Sequence, residues 1–121
     1  MNLSKASKRY AKALLTFALE RKELDTVNAD VMTLQSAVKE NKELEIMMNS
    51  SVIQEGKKVD VYKAIFADKI SATTLNFILL IAKNSRSSHI PHILNAFETQ
   101  YKAYKNIVTV NITTASKMDE Q

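Results

Sequence analysis

The sequence contains no cysteine, and its 121 residues include only one glycine and one proline. Without cysteine, the chain has neither a disulfide framework nor a thiolate metal site. With a single Gly and a single Pro, the backbone has few positions that favour a sharp turn or a positive φ. This composition favours long helices over a fold of strands and hairpins.

The sequence also lacks a long hydrophobic run. The longest uninterrupted one, FILLIA at residues 77–82, is far shorter than the roughly 20 residues that a membrane-spanning helix needs. Hydrophobic residues make up 45% and charged residues 25% of the chain, the ordinary mixture of a soluble globular protein. We therefore predict no direct membrane insertion, and the length fits one domain or one domain with a fragment of a second.

Acidic residues are absent before Glu20, whereas Lys5, Lys8, Arg9 and Lys12 form one dense basic group. The whole chain has a formal charge of +4 and a pI near 9.3, which favours an anionic partner. A basic amphipathic start is typical of a transit peptide or of a membrane-surface binding module, and both remain alternatives. The apolar residues of this stretch also fit a protein core: Ala11, Ala13, Leu14, Leu15, Phe17, Ala18 and Leu19.

Helical spacing of apolar residues continues along most of the chain. Ser71 or Thr73 is expected to cap the fifth helix and Ser88 the sixth, where Pro91 is tolerable because first-turn N–H groups have no intrahelical partner. The first predicted helix starts after Ser4 or Ser7 and runs to about residue 21, and the fifth ends between residues 84 and 86. The others cover about residues 25–41, 42–48, 54–69 and 89–105. Because the connections are short, we predict an all-α fold, a six-helix antiparallel bundle.

After residue 106 the spacing of apolar residues changes from a helical period to near-alternation. The stretch IVTVNITT, residues 107–114, nearly alternates and is rich in β-branched residues, which predicts a strand. A lone strand has no partner in a helical bundle, so we expect it to begin a second domain. The predicted division is a helical N-terminal domain at residues 1–105 and the start of a truncated C-terminal domain at residues 106–121.

Candidates for catalytic or cofactor chemistry are weak. His89 and His92 lack a nearby carboxylate or thiolate that would complete a metal site. Gly56-Lys57-Lys58 lacks the preceding strand and Gly and the following Ser or Thr of a phosphate-binding loop, so a solvated helix start is expected instead. The tyrosines and phenylalanines lie at the spacing of core residues, which does not favour stacking on nucleic-acid bases. We predict no enzyme activity, cofactor, metal or nucleic-acid partner.

An ordinary bundle helix has one polar face that is exposed to solvent. Two predicted helices, the first and the fifth, have too few polar residues for such a face. Either they lie at the centre of the bundle, or together they line a groove for another helix. Helix-in-groove recognition uses apolar anchors at i, i+3 or i+4, and i+7.

Five stretches of the sequence follow one another in a recognisable order. They are RYAKALLTFALE (9–20), KVDVYKAIF (58–66), LNFILLIAKNSR (75–86), IPHILNAFETQYKAYKN (90–106) and VTVNITTASKMDEQ (108–121). Together they resemble the delta subunit of F-type ATP synthases, whose mitochondrial counterpart is the oligomycin-sensitivity-conferring protein. The resemblance covers essentially the whole chain.

The resemblance implies a six-helix N-terminal domain followed by a second domain that begins with a strand. It implies a non-catalytic stator subunit of the proton-translocating ATP synthase, which links the catalytic head to the peripheral stalk. The implied partners are the N-terminal helix of an alpha subunit and, through a C-terminal part beyond this chain, the peripheral-stalk b subunit. The implied location is peripheral, on the cytoplasmic face of the cell membrane, or on the inner mitochondrial membrane in a eukaryote.

In the family, the alpha-subunit helix lies against the first and fifth helices. The resemblance therefore implies these partner-binding residues: Tyr10, Ala13, Leu14, Phe17, Phe77, Leu80, Lys83 and Asn84. The chain departs from the family pattern at Ser50 or Ser51, where many relatives carry Pro, and at Ser85, where many carry Gly. These departures change the turn chemistry between helices.

Overall fold

The computed structural model describes the backbone of residues 3–120 and the side chains of residues 5–107. Within this range the chain forms six α-helices and one 3-10 turn, and no strand. The helices are α1 (Leu3–Glu20), α2 (Leu24–Glu40), α3 (Lys42–Asn49), α4 (Glu55–Phe66), α5 (Ala72–Lys83) and α6 (Ile90–Glu120), and the 3-10 turn is Ser87–His89. The prediction of an all-α, six-helix bundle is confirmed.

The core takes buried apolar side chains from every helix. Its largest fully buried members include Leu14, Leu34, Met48, Tyr62, Phe66, Ile81, Ile93 and Phe97. In the described part of the chain, α1 packs chiefly along α6, α4 along α5, and α2 along α6, whereas α1 and α5 approach each other less closely. This arrangement leaves a gap between α1 and α5.

Side-chain caps fix two of the helix starts. The side chain of Asn41 accepts a hydrogen bond from the amide of Leu44 at the start of α3, and Ser71 accepts one from Thr74 at the start of α5. Ser71 is thus the cap of the fifth helix. The sixth helix begins at Ile90, directly after the 3-10 turn, so Pro91 lies in its first turn as predicted.

Two helices end on residues with a left-handed backbone, Lys22 with φ of 57° and Ser85 with φ of 60°. After α5, the amide of Arg86 donates to the carbonyl of Ile81 at 3.1 Å, and that of Ser85 to Ala82 at 3.0 Å, which is a Schellman motif. The same pair of bonds closes α1. Ser85 therefore makes the turn that the family pattern assigns to glycine.

The end of the chain differs from the expected structure. Helix α6 continues to Glu120, through residues 107–114 where alternation predicts a strand. A helix satisfies its backbone N–H and C=O groups internally, whereas a strand needs a neighbouring strand with which to pair. The division into domains at residues 1–105 and 106–121 stays a prediction, because the side chains after residue 107 lie outside the described part.

Candidate functional site: a groove between α1 and α5

Helix α5 divides its apolar side chains between the core and the surface. Ile78, Ile81 and Ala82 are fully buried, and Leu79 is buried as well. Leu80 is 52% exposed. The apolar residues of α5 are therefore covered by the bundle on all but one side.

Helix α1 makes the same division. Ala11, Leu14 and Ala18, at positions i, i+3 and i+7, are buried in the core. Ala13 is exposed, and Phe17 remains 45% exposed although it is aromatic. The open sides of α1 and α5 face the same trough.

The trough, which we call the α1–α5 groove, has a volume of about 320 Å³. It is lined by Ala13 and Phe17 from α1 and by Thr73, Asn76, Phe77 and Leu80 from α5. The α5 residues lie at i, i+3, i+4 and i+7, the spacing of one helix face. Three large apolar side chains thus surround a space open to solvent.

One end of the groove is closed by Tyr10. Its ring lies edge-on to Phe77, with ring centroids 6.4 Å apart. The Nη1 atom of Arg86 donates to the Tyr10 hydroxyl at 3.2 Å, and the guanidinium lies 5.6 Å from the centre of the Tyr10 ring. Beyond Tyr10, a second hollow of about 290 Å³ is lined by Ala6, Arg9, Tyr10, Ala13 and Arg86.

The other end of the groove is bounded by polar residues of the α1–α2 turn. Thr73 donates a 2.8 Å hydrogen bond to Glu23, and the Nε atom of Arg21 donates to the same carboxylate at 3.1 Å. The guanidinium of Arg21 also lies 5.2 Å from the centre of the Phe17 ring. These contacts hold α1 and α5 antiparallel, because Tyr10 meets the end of α5 and Glu23 meets its start.

A family model described as ATP synthase delta (OSCP) subunit matches residues 6–121. The chain belongs to this ATP synthase delta (OSCP) subunit family. The match agrees with the family named by the sequence resemblance.

Relatives from several bacteria share the same sequence pattern. The ATP synthase subunit delta of Cytophaga hutchinsonii is 32% identical over 120 residues, which are 99% of this chain and 66% of that protein. Those of Chlorobium chlorochromatii and Lactobacillus johnsonii are 27% and 32% identical, over 100% and 93% of this chain and 68% and 61% of their own lengths. The chain spans about two thirds of the length of the curated relatives it matches.

The structure brings together most of the residues that the delta (OSCP) resemblance implies. Ala13, Phe17, Phe77 and Leu80 line the α1–α5 groove, and Tyr10 stands at its end. A different position is found for Leu14, which is 1% exposed and belongs to the core, so its side chain is not available to a partner. Leu14 shares one helix face with the buried residues Ala11 and Ala18, and this spacing predicts a core position for Leu14.

The polar residues predicted beside the groove lie at the end of α5. Lys83 and Asn84 are exposed just beyond the residues that line the groove, and their contact with a partner stays a prediction. The contact with Tyr10 is made by Arg86, from a position 76 residues away in the chain. No local spacing signals that contact, since it depends on how α5 turns into α6.

The histidine pair does not form a metal site. His89 is buried and His92 is exposed, so their side chains face different surroundings. Among the described residues, no group of three or more His, Cys, Asp or Glu side chains is placed to hold a metal ion. Burial, followed by the nearby Arg86 and His92, lowers the pKa of His89.

The Gly56-Lys57-Lys58 stretch does not cradle a ligand. A Cβ atom placed on Gly56 would meet nothing within 4 Å, which means that no close backbone approach requires glycine there. Lys58 is buried, and its Nζ donates to the carbonyl of Ser50 at 2.7 Å, just past the end of α3. The expected solvated helix start is therefore correct for Lys57 and incorrect for Lys58.

A membrane-spanning segment is not found in the described helices, none of which combines sufficient length with sufficient apolarity. The basic face of α1 remains on the surface, since Lys5, Lys8, Arg9 and Lys12 are all exposed. The apolar face of α1 is largely used by the core, so only the narrower strip at the groove is left for another molecule.

Proposed function

We propose that this chain is a non-catalytic stator component of an F-type ATP synthase, and that its α1–α5 groove holds the N-terminal helix of an alpha subunit. In this role it links the catalytic head to the peripheral stalk, whose b subunit is engaged by a part of the protein beyond residue 121. The protein would lie at the cytoplasmic face of the cell membrane without entering the bilayer. Family membership and the open groove support this proposal.

The observation that carries the proposal is the exposure of Phe17 and Leu80 on opposite walls of one groove. Isolated exposed apolar residues are ordinary, but an aromatic and a leucine side chain that share a concave apolar surface form a site for a partner. An amphipathic helix placed there would insert its apolar anchors between the walls. A few such buried anchors supply most of the binding energy of an interface.

Mechanical work imposes a further requirement on this site. The stator must resist torque while the rotor turns, so the partner helix has to stay bound during each rotation. Slow dissociation comes from well-packed, desolvated anchors more than from total buried area. The core side chains of α1 and α5, among them Leu14, Ile78 and Ile81, suit this requirement because a close-packed core resists deformation.

The test is a calorimetric titration with a synthetic peptide of the alpha-subunit N-terminal helix from the same organism. We expect Leu80→Lys and Tyr10→Asp to weaken binding by about 2 kcal/mol or more each, or roughly 30-fold in Kd. Val52→Lys is the matched control, since Val52 is exposed on the α3–α4 connection and lies outside the groove. The circular dichroism spectrum and the cooperativity of melting should be unchanged in the Leu80 and Val52 variants.

Unchanged affinity in both groove variants would show that the peptide binds elsewhere. The membrane-surface alternative is separated by sedimentation with anionic vesicles. Strong binding to vesicles that is lost at high salt and survives Leu80→Lys would favour that alternative, because the basic residues of α1 would then carry the interaction.

A further inference from the structure

The two ends of the α1–α5 groove carry different charges. At the Tyr10 end, Arg9 and Arg86 line the second hollow. Lys12 lies along the flank of α1, and Lys83 lies in the last turn of α5. Among the described residues, none of these four cations forms an ion pair with a carboxylate. Their positive charge is therefore available to a bound molecule.

The opposite end carries charges of both signs. Glu20 and Glu23 lie there, and Glu23 is held at the rim by Thr73. The exposed cations Arg21 and Lys22, on the same turn, match these two carboxylates in number, and Arg21 already pairs with Glu23. The groove is thus clearly basic at one end and close to neutral at the other.

A helix laid in the groove has unlike ends as well. Its aligned peptide dipoles place about half a positive charge at the N-terminus and half a negative charge at the C-terminus, where the last carbonyls lack intrahelical partners. Arginine is suited to such carbonyls because it carries several N–H donors. The Nη1 atom of Arg86 donates to the Tyr10 hydroxyl, and the other N–H groups of the guanidinium can donate to a ligand.

We infer that the groove imposes a direction on the helix that it holds. The C-terminal end of the bound helix lies at Arg9 and Arg86, and its N-terminal end lies at Glu20 and Glu23. The bound helix then runs antiparallel to α1 and parallel to α5. The chemistry that fits this site is an amphipathic helix of the alpha-subunit partner with acidic side chains towards its C-terminal end. This inference rests on the proposed function, since it concerns the partner of the same groove.

The direction can be read with spin labels on the partner peptide. The chain has no cysteine, so a nitroxide attached to a cysteine at either end of the alpha-subunit N-terminal peptide labels the peptide alone. With the label at the peptide C-terminus, we expect amide signals of Arg9 and Arg86 to be broadened beyond detection. With the label at the N-terminus, the broadened signals should be those of Glu20 and Thr73.

The reverse pattern of broadening would overturn the inferred direction and leave the proposed function intact. Equal broadening at both ends from either label would show a groove without directional preference, which also overturns the inference. A peptide that fails to bind in calorimetry would instead remove the proposed function, and the inference with it.

Charge variants supply a second readout. Arg9→Glu combined with Lys12→Glu is expected to weaken peptide binding about tenfold at low salt, and the loss should shrink as salt is added. The control combines Lys39→Glu with Lys57→Glu, two exposed lysines outside the groove, and makes the same change in net charge. Equal weakening by both pairs would mean that only the overall field of the protein acts on the peptide, which contradicts a local basic end.

Discussion

Asp30 on α2 and Ser71 at the start of α5, 41 residues apart in the chain, are joined by two hydrogen bonds. The Oδ2 atom of Asp30 accepts from the Ser71 hydroxyl at 2.6 Å and from the Ser71 amide at 3.1 Å, and the Thr74 hydroxyl donates to the same oxygen at 2.8 Å. Asp30 is only 6% exposed. This carboxylate fixes where α5 begins, and therefore which face of α5 reaches the groove.

Replacing Asp30 by Ala should destabilise the bundle by about 3 kcal/mol, because two hydroxyls and an amide lose a buried acceptor at once. Asp30→Asn should cost less, since an amide oxygen can still accept. Urea unfolding measures both values. Asp68→Ala is the control, because Asp68 is exposed and no described residue is bonded to its side chain. A loss at Asp30 no larger than at Asp68 would show that the network does not support the fold.

Lys58 stabilises the end of α3 through a side chain that reaches back from α4. We expect Lys58→Met to lower the free energy of unfolding by about 1–2 kcal/mol, because the methionine keeps the apolar stem but leaves the Ser50 carbonyl without its charged donor. Lys57→Met, on the exposed neighbouring position, should change stability little. Similar losses in the two variants, measured by urea unfolding, would contradict the capping role of Lys58.

Lys22 adopts a left-handed backbone at the end of α1, a conformation that costs an L-residue roughly 1–2 kcal/mol relative to glycine. Lys22→Gly should therefore stabilise the protein by about 0.5–1 kcal/mol, after allowing for the greater freedom of glycine in the unfolded chain. Lys22→Ala should give no such gain, because alanine meets the same steric limit. The melting temperature would rise by a few degrees in the glycine variant alone.

His89 should make stability depend on pH below the ordinary imidazole pKa of about 6.5. Its pKa in the folded protein is lowered, first by burial and then by Arg86 and His92, so the unfolded chain binds more protons in this window. Stability is therefore complete above the unfolded pKa of about 6.5 and falls as the pH is lowered towards the folded pKa.

The His89 contribution can be isolated with variants. His89→Gln should flatten the fall of the urea midpoint between pH 7 and pH 5, whereas His92→Gln, at an exposed position, should retain it. Carboxylates such as Glu98, whose pKa is lowered chiefly by the hydrogen bond from Gln35, add their own loss only at lower pH. An unchanged slope in the His89 variant would show that another group carries the pH dependence.

The sequence predicts what depends on local spacing. Helical periodicity finds the six helices, and the excess apolarity of α1 and α5 locates the groove, because both signals are read along a single element. The spacing of Ala11, Leu14 and Ala18 on one face of α1 likewise assigns Leu14 to the core.

Contacts between residues that are far apart in the sequence cannot be predicted from local spacing. The hydrogen bond from Arg86 to Tyr10 and the bonds from Ser71 and Thr74 to Asp30 depend on how helices pack, which no local pattern encodes. The helical path of α6 through residues 107–114 differs from the predicted strand for a related reason. Alternation of apolar and polar residues shows that a segment is suited to the strand conformation. A strand forms only when a partner strand is also available.

Helix α5 assigns two tasks to separate side chains. Ile78 and Ile81 are buried in the core of the bundle, whereas the side chain of Leu80, between them in sequence, is exposed. Under the proposed function, selection for a stable protein and selection for partner recognition act on different positions of one helix. Lineages could then exchange the Leu80 face, matched by changes in the partner helix, without passing through variants that fail to fold. Hybrid enzymes assembled from distant species should on this account fail in subunit pairing before they fail in folding.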